Sequence, residues 1–178
     1  SHYVNFLLNK KYKVVGISRS NYPKIFLPYI KNNNIKNFKF YKLNLNKNFK
    51  DIKKIILNFK PKYIINFASL GMVAESWIYP ADWFNTNTLA TVKLLHFLRQ
   101  QNFLKKYVHI STPEVYGNTA SNMKESKIYK PSTPYAISRA SADMTLNAFY
   151  EVYKFPYIST RAANVYGPHQ QLYRIIPL

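Results

Sequence analysis

Short apolar runs alternate with longer amphipathic segments along this chain. The short runs end at turn-forming residues, a pattern typical of buried strands. They predict strands at residues 12–17, 38–43, 63–67, 107–111 and 157–162. The longer segments predict helices at residues 3–9, 50–59, 81–100 and 133–153, and helix or loop at residues 23–33. Strands that alternate with helices indicate an α/β fold, with a parallel sheet covered by helices on both faces.

The composition excludes several classes of protein. The chain has 178 residues and is 47% hydrophobic, which is enough for one domain with a buried core. It has no cysteine, so a disulfide scaffold, a thiolate metal site and thiol catalysis are excluded. No apolar run approaches the ~20 residues of a membrane-spanning helix, and the first residues do not have the order of a signal peptide. We expect no metal, no membrane association and a cytoplasmic location.

The net charge of +19 leaves two interpretations of the surface. One is nucleic-acid binding, to which a basic surface is suited. The other is a compositional bias, because the excess is lysine accompanied by abundant asparagine, isoleucine and tyrosine, and the lysines are spread over the chain. We expect no specific nucleic-acid partner, although such a surface would attract a nucleotide diphosphate.

A tyrosine and a cation lie four residues apart in the predicted helix at residues 133–153. Tyr135 and Arg139 therefore share one face of that helix. A nearby cation favours the phenolate of a tyrosine, whose ordinary pKa is ~10, and suits it to act as a base. Ser111 and Thr112, at the end of an earlier strand, could supply a hydroxyl that binds the same substrate oxygen.

Three motifs carry a resemblance to a known family: STPEVYG at 111–117, YAISR at 135–139 and RAANVYGP at 161–168. They resemble the extended short-chain dehydrogenases/reductases, and among these the nucleotide-sugar 4,6-dehydratases that act on dTDP-glucose or GDP-mannose. The resemblance implies a Rossmann-like doubly wound parallel sheet, of which residues 1–178 form a partial NAD(P)-binding domain. By comparison with the family, the first strand, the glycine-rich turn and most of the C-terminal substrate lobe are expected to be lacking. The substrate-binding region would then start at about residues 165–178.

The resemblance implies four catalytic residues. Thr112 would bind the sugar O4, Tyr135 would take its proton, and Glu114 would remove the proton from C5. Arg139 stands where the family has lysine, and its planar guanidinium does not reproduce a lysine's contacts to the nicotinamide ribose. Pro113 replaces the acid that would protonate the departing C6 hydroxyl. The alternative for Glu114 is a carboxylate in a solvent-facing loop.

The resemblance places the adenosine end of the cofactor beside two loops. The first contains Ser18 and Arg19 and no carboxylate, which favours NADP over NAD because arginine accommodates a 2′-phosphate. The alternative is that Arg19 is solvated or stacks on adenine. Asn44 and Leu45 would lie against the adenine ring, although Asn44 could equally form a turn.

The other residues implied to bind the cofactor lie near its ribose, phosphates and nicotinamide. They are Phe67, Ala68, Ser69, Asn87, Ser111, Tyr135, Arg139, Ala163 and Val165. Asparagine is a poor residue inside a helix, so we interpret Asn87 as a buried amide that braces the active-site strand. The alternative is a polar group in helix packing. We expect Arg161 to be structural.

The implied substrate is a nucleotide-diphosphate sugar. The residues that would bind it are Ser76, Thr112, Pro113, Glu114 and Asn164. Two alternatives remain: a 4-epimerase, which needs Thr112 and Tyr135 but not Glu114, and an inactive or truncated homologue that binds nucleotide without turnover. The family also implies a homodimer through the two long helices, with Trp83, Phe84 and Phe149 at the interface or in the core.

Overall fold

The computed structural model describes residues 1–21, 24, 27–118, 123–163 and 165–168. The chain divides into compact units, one containing Ser1–Asn48 and the other Phe49–Ala163. Each unit is an α/β arrangement with its own parallel strands. The single partial domain expected over residues 1–178 stays a prediction.

The first unit pairs two parallel strands. Its elements are α1 (His2–Asn9), β1 (Val14–Ser18), the 3₁₀ turns Pro28–Lys31 and Ile35–Asn37, and β2 (Phe38–Lys42). In the sheet, Val14 lies opposite Phe38 and Ser18 lies opposite Lys42. A Cβ at position 16 would lie 2.9 Å from the Phe38 ring, so that ring would have to shift if any other residue replaced Gly16.

The second unit has three parallel strands in the order β3-β4-β5. Its elements are α2 (Phe49–Phe59), β3 (Tyr63–Asn66), α3 (Val73–Ile78), α4 (Pro80–Trp83), α5 (Ala90–Leu98), β4 (Lys106–Ile110), α6 (Pro134–Tyr153) and β5 (Tyr157–Thr160). Asn66 lies opposite His109, and His109 lies opposite Ser159. Polar side chains therefore form a row across the three strands.

A π-helical segment, Phe84–Leu89, joins α4 to α5 without a break in the helix. The N–H of Ala90 donates to the carbonyl of Asn85, five residues back, instead of four. Asn87 lies in this wide turn and is fully buried. Such π-bulges are rare and occur frequently at functional sites.

The core of the second unit lies between the sheet and the long helices. Leu95 on α5, Leu146 on α6, Tyr107 on β4 and Phe155 are all nearly inaccessible to solvent. Burying one such side chain contributes roughly 1.5–3 kcal/mol. Trp83 is buried as well, and the Phe149 ring packs edge-on against those of Tyr153 and Phe155.

The predicted strands and the four predicted helices are confirmed to within two residues at each end. The helix predicted at residues 81–100 is the composite of α4, the π-segment and α5. Residues 28–31 of the ambiguous 23–33 segment form a 3₁₀ turn. Within the described ranges, no helix is long and apolar enough to cross a bilayer.

Candidate active site

The predicted site residues of the second unit follow the carboxyl ends of its three strands. Residues 67–69 follow β3, residues 111–114 follow β4, and residues 161–163 follow β5. Because neighbouring parallel strands end at the same edge of a sheet, the fold brings these residues to one edge. In open α/β sheets this edge is where ligands bind.

The loop after β3 is exposed, and the side-chain amides of neighbouring asparagines hydrogen-bond to its backbone. Phe67, Ala68 and Ser69 are exposed. The Asn66 carboxamide oxygen accepts from the Ala68 N–H at 3.0 Å. The small side chains at 68 and 69 would allow a ligand to approach the backbone of this loop closely.

Asn87 braces this loop from the π-helical segment. Its Oδ1 accepts from the Leu70 N–H at 2.8 Å, and its Nδ2 donates to the Leu70 carbonyl at 3.1 Å. The same Nδ2 lies 3.0 Å from Ser138 Oγ on α6. Asn87 therefore does brace the site, but it holds the loop after β3 to α6 rather than a strand. It is fully buried, so the direct cofactor contact predicted for its side chain is not available in this structure.

The STPEVYG segment forms a capped 3₁₀ turn, Pro113–Tyr116, directly after β4. Thr112 is the N-cap, and its Oγ1 accepts from the Glu114 N–H at 3.3 Å. This contact does not use the hydroxyl proton of Thr112, although the residue itself is buried, with 7% exposure. The Glu114 side chain is exposed, but the protein around it removes part of its hydration and raises its pKa above the ordinary value.

Gly117 ends this segment in a conformation that suits glycine. Its φ is 78°, and a Cβ would lie 2.1 Å from the Lys130 carbonyl oxygen. The Lys130 N–H donates to the Val115 carbonyl at 3.0 Å. The backbone at Lys130 therefore packs directly against the segment that carries Glu114.

Helix α6 begins one residue before Tyr135. Thr133 caps the helix, with its Oγ1 accepting from the Ala136 N–H at 3.0 Å, and Pro134 occupies the first turn. Tyr135 is half-buried. The Tyr135 carbonyl accepts from Ser138 Oγ at 2.7 Å, so the first turn of the helix is fixed.

Arg139 points into the protein. Its side chain is buried, and its Nη2 donates to the Ile110 carbonyl at the end of β4. Burial lowers its pKa, which interactions with Tyr135 and Asp143 oppose. Arg139 was expected among the cofactor-binding residues, but it is 2% exposed, so a direct cofactor contact by its guanidinium is not available in this structure. It links α6 to β4 instead.

A buried carboxylate lies one turn beyond Arg139. Asp143 accepts from Ser111 Oγ at 2.9 Å and from Arg161 Nε at 2.9 Å. Ser111 was predicted to contact the cofactor, but its hydroxyl donates to Asp143 and the residue is buried. Arg161 has the structural role expected from the sequence. The sequence alone gives Asp143 no role, because its hydrogen-bond partners come from distant segments of the chain.

Ser76 is also directed inward. It is fully buried, and its hydroxyl donates to the Val73 carbonyl at 2.6 Å within α3. The predicted substrate contact by this side chain is therefore not available in this structure. Ala163 and Val165 are exposed after β5, whereas Asn164 lies outside the described residues.

In the first unit, the predicted adenosine-binding residues lie at the carboxyl ends of β1 and β2. Arg19 is exposed, and Ser18 Oγ accepts from the Ser20 N–H at 3.4 Å. Asn44 Oδ1 accepts from the Asn46 N–H at 2.8 Å, which is the turn geometry that was its alternative role. Leu45 is half-buried.

Comparisons with known proteins identify relatives of this chain. Residues 1–177 match the family described as GDP-mannose 4,6 dehydratase. The chain is 32% identical over 127 residues to the dTDP-D-glucose 4,6-dehydratase of Homo sapiens, which covers 71% of this chain and 36% of the human protein. It is 34% identical over 172 residues to an uncharacterized protein of Schizosaccharomyces pombe, covering 89% of this chain and 47% of that protein.

Solved structures of two activities share the fold. DesIV, a dTDP-glucose 4,6-dehydratase from Streptomyces venezuelae solved with NAD, superimposes with a TM-score of 0.85 at 26% identity, over 99% of this chain and 56% of that one. A UDP-glucose 4-epimerase from Thermotoga maritima solved with UDP-glucose gives 0.80 at 28% identity, over 97% and 54%. The Rossmann-like parallel α/β fold is therefore confirmed. The chain spans about a third to a half of the curated relatives that it matches.

Proposed function

The chain belongs to the GDP-mannose 4,6-dehydratase family, and we propose that the protein containing it is a nucleotide-sugar 4,6-dehydratase of the dTDP-glucose kind. The observation that carries the proposal is Glu114, a carboxyl of raised pKa placed directly after the Thr112 cap at the carboxyl edge of the sheet. A raised pKa makes a carboxylate a stronger base, which suits it to accept a proton and return it in general acid–base catalysis.

The first chemical step uses Thr112 and Tyr135. The Thr112 hydroxyl donates a hydrogen bond to O4 of the sugar and holds it, while Tyr135 takes the O4 proton. Bound NAD would supply the acceptor for the C4 hydride and the donor that returns it to C6. Tyr135 stands in the first turn of a capped helix, so its position does not depend on a mobile loop.

The second step belongs to Glu114. The ketone at C4 acidifies the C5–H bond, and Glu114 takes that proton. The C5=C6 double bond then forms as the C6–O bond breaks. Pro113 carries no acidic group, so we assign the protonation of the departing C6 hydroxyl to Glu114 as well, with the proton that it took from C5. Water leaves as the C5=C6 double bond forms. The hydride that bound NAD would return to C6, together with a solvent proton added at C5, then gives the 4-keto-6-deoxy sugar, while the O4 proton held by Tyr135 passes to solvent.

NAD is the proposed cofactor. The sequence favoured NADP because of Ser18 and Arg19. The solved dehydratase DesIV, however, holds NAD. Arg19 is exposed, which does not by itself require a 2′-phosphate on the cofactor. Equilibrium binding of NAD and NADP to the full-length protein, followed by calorimetry, tests this choice, and tighter binding of NADP would reverse it.

Exchange of Glu114 for glutamine tests the proposed reaction. In the full-length protein with dTDP-glucose or GDP-mannose and NAD, mass spectrometry should show loss of one water from the substrate. The Glu114→Gln variant should lose dehydration by about 10²–10⁴-fold, because the general base is gone. Glu125→Gln, at an exposed carboxyl, is the matched control and should keep full activity.

A 4-epimerase is the second candidate, favoured by the likeness to the UDP-glucose 4-epimerase. Epimerisation needs Thr112 and Tyr135 but no base at position 114. An isomer of unchanged mass, formed equally well by the Glu114→Gln variant, would establish that activity in place of dehydration. No product from either substrate would favour a homologue without turnover.

Dimerisation through the long helices is part of the proposal. The π-segment and α6 keep apolar side chains exposed: Leu89 is 46% exposed, Ile137 40% and Met144 58%. Ile137 and Met144 are seven residues apart and so lie on one helix face. Light scattering of the full-length protein should give the mass of a dimer, and Met144→Lys should shift it toward the monomer.

A further inference from the structure

The buried carboxylate of Asp143 joins α6 to both β4 and β5. The residue is 1% exposed. Its Oδ2 accepts from Ser111 Oγ and from Arg161 Nε, each at 2.9 Å, and its Oδ1 accepts from Ser159 Oγ at 3.3 Å. His109 Nε2 lies 3.9 Å from Oδ1. One side chain of α6 therefore holds residues at the ends of two strands.

Arg161 extends this network to the far end of the STPEVYG segment. Its Nη1 donates to the Tyr116 hydroxyl at 3.0 Å, and its Nη2 donates to the Tyr129 hydroxyl at 2.7 Å. The guanidinium carbon also lies 5.4 Å from the centre of each of these two rings. All three nitrogens of the guanidinium are thus engaged, which fixes its plane.

These contacts hold both ends of the segment between Ser111 and Tyr116. Ser111 at its start is bound directly by Asp143, and Tyr116 at its end is bound by Arg161, the ion-pair partner of Asp143. Between these two fixed points lie Thr112 and Glu114. Asp143 is eight residues after Tyr135 on α6, about 12 Å along the helix axis.

We propose that Asp143 and Arg161 are positioning residues, which hold both ends of the segment carrying Thr112 and Glu114 in a set place relative to the helix that carries Tyr135. This inference rests on the proposed function. The Tyr116 hydroxyl is the end point nearest to Glu114, so it sets the place of the C5 base. The Ser111 hydroxyl is the end point beside Thr112, so it sets the place of the group that binds O4.

The ion pair between Asp143, which is buried, and Arg161, whose side chain is 18% exposed, is a weak source of stability alone. Removing a charge from water costs several kcal/mol, and apolar residues of similar volume often serve the core as well. What the pair supplies is fixed geometry, because its hydrogen bonds have defined directions. A misplacement of about 1 Å can cost about 10²-fold in rate, so such geometry has a catalytic effect.

Exchange of Tyr116 for phenylalanine tests the proposal in the full-length protein. The change removes the hydroxyl that Arg161 holds and keeps the ring. Oxidation at C4 should proceed as before, because Ser111, Thr112 and Tyr135 are untouched, whereas loss of water should slow by tenfold or more. The reduced nicotinamide should therefore accumulate during turnover. It should not accumulate if the rates of oxidation and of water loss decrease equally.

Hydrogen exchange of the protein without cofactor or substrate gives a second readout. The amides of Val115 and Gly117 should exchange faster in Tyr116→Phe, while those of β4 stay protected. Tyr150→Phe, an exposed tyrosine of α6, is the matched control and should change neither measurement. Arg161→Lys keeps the charge but loses the planar fork, and it should reproduce the Tyr116→Phe pattern with a larger effect.

Three outcomes would overturn the inference. Unchanged exchange at Val115 and Gly117 would show that the hydroxyl does not hold the segment. Equal slowing of oxidation and water loss would show a merely structural role. Faster exchange without a change in either rate would show that the place of Glu114 does not depend on Tyr116. If the unaltered protein loses no water at all, the proposed function fails, while the exchange measurement still decides whether the segment is held.

Discussion

The histidine in the middle of β4 should make the stability of the protein fall in mild acid. His109 is fully buried, and its ring stacks on that of Tyr107 with the centroids 6.2 Å apart. Burial, together with the positive charges of Arg139 and Arg161, lowers its pKa to about 3. An unfolded chain has an ordinary histidine pKa of ~6.5. As the pH falls, this histidine is therefore protonated at a higher pH in the unfolded state than in the folded protein.

The two pKa values give the size of the effect. Below about pH 6.5 the unfolded state binds the extra proton, so the free energy of unfolding falls until about pH 3, where the folded protein is protonated too. Between about pH 7 and pH 5, His109 alone should remove about 2 kcal/mol of stability, with an upper limit of roughly 5 kcal/mol at still lower pH.

Urea unfolding of the full-length protein at these two pH values measures the loss. His109→Gln removes the titrating group while keeping a polar side chain of similar size. Its stability at neutral pH will differ from that of the unaltered protein, but its further loss on acidification should be smaller by about 2 kcal/mol. His96→Gln, at an exposed position of α5, serves as the control. Equal losses in the unaltered protein and in His109→Gln would refute the reasoning.

Two further substitutions should lower stability for reasons visible in the structure. Gly117→Ala puts a methyl group against the Lys130 carbonyl oxygen at a positive φ, so it should cost at least 1–3 kcal/mol by thermal unfolding, whereas Gly71→Ala meets no atom within 4 Å and should not. Asn87→Ala leaves the N–H and carbonyl of the loop after β3 without their amide partner and should cost about 1–3 kcal/mol for each group that stays dry. Asn85→Ala, exposed in the same π-segment, should lose much less in the same measurement.

The strands and helices could be predicted because their patterns are local. A run such as residues 63–67 is apolar except for Asn66 and follows Pro61, so its type could be predicted without the rest of the fold. The positions of Thr112, Glu114 and Tyr135 followed from motifs at fixed spacing, and the structure places the first two at the expected end of β4. What the motifs could not show is which way a side chain turns.

Arg139 and Ser76 illustrate that limit. Helical periodicity places Arg139 on the same face as Tyr135 and Asp143, but that face meets the end of β4, and the Ile110 carbonyl is the acceptor it finds there. Pairing between distant segments creates this acceptor, so no local pattern contains it. Ser76 likewise turns its hydroxyl to the Val73 carbonyl, since a buried hydroxyl needs a partner and its own helix provides one. The π-segment around Asn87 had no signal in the sequence beyond an asparagine inside a helix.

Pro113, which stands where the family resemblance implies an acid, fits the local structure in a way that bears on the proposed mechanism. Thr112 caps the 3₁₀ turn, so Pro113 stands at its first position, where a proline's fixed φ fits and its missing N–H has no partner to lose. The next residue, Glu114, is thereby held in a stiffer segment, which the hydrogen bonds of Ser111 and Tyr116 anchor at both ends. The same change removes the group that would protonate the leaving hydroxyl. A stiff segment with a single carboxyl can still complete the elimination if Glu114 lies within reach of both C5 and the C6 oxygen. Restoring the acid with Pro113→Asp should then raise the rate of water loss only modestly, and a gain of about 10²-fold or more would show that Glu114 does not carry both proton transfers.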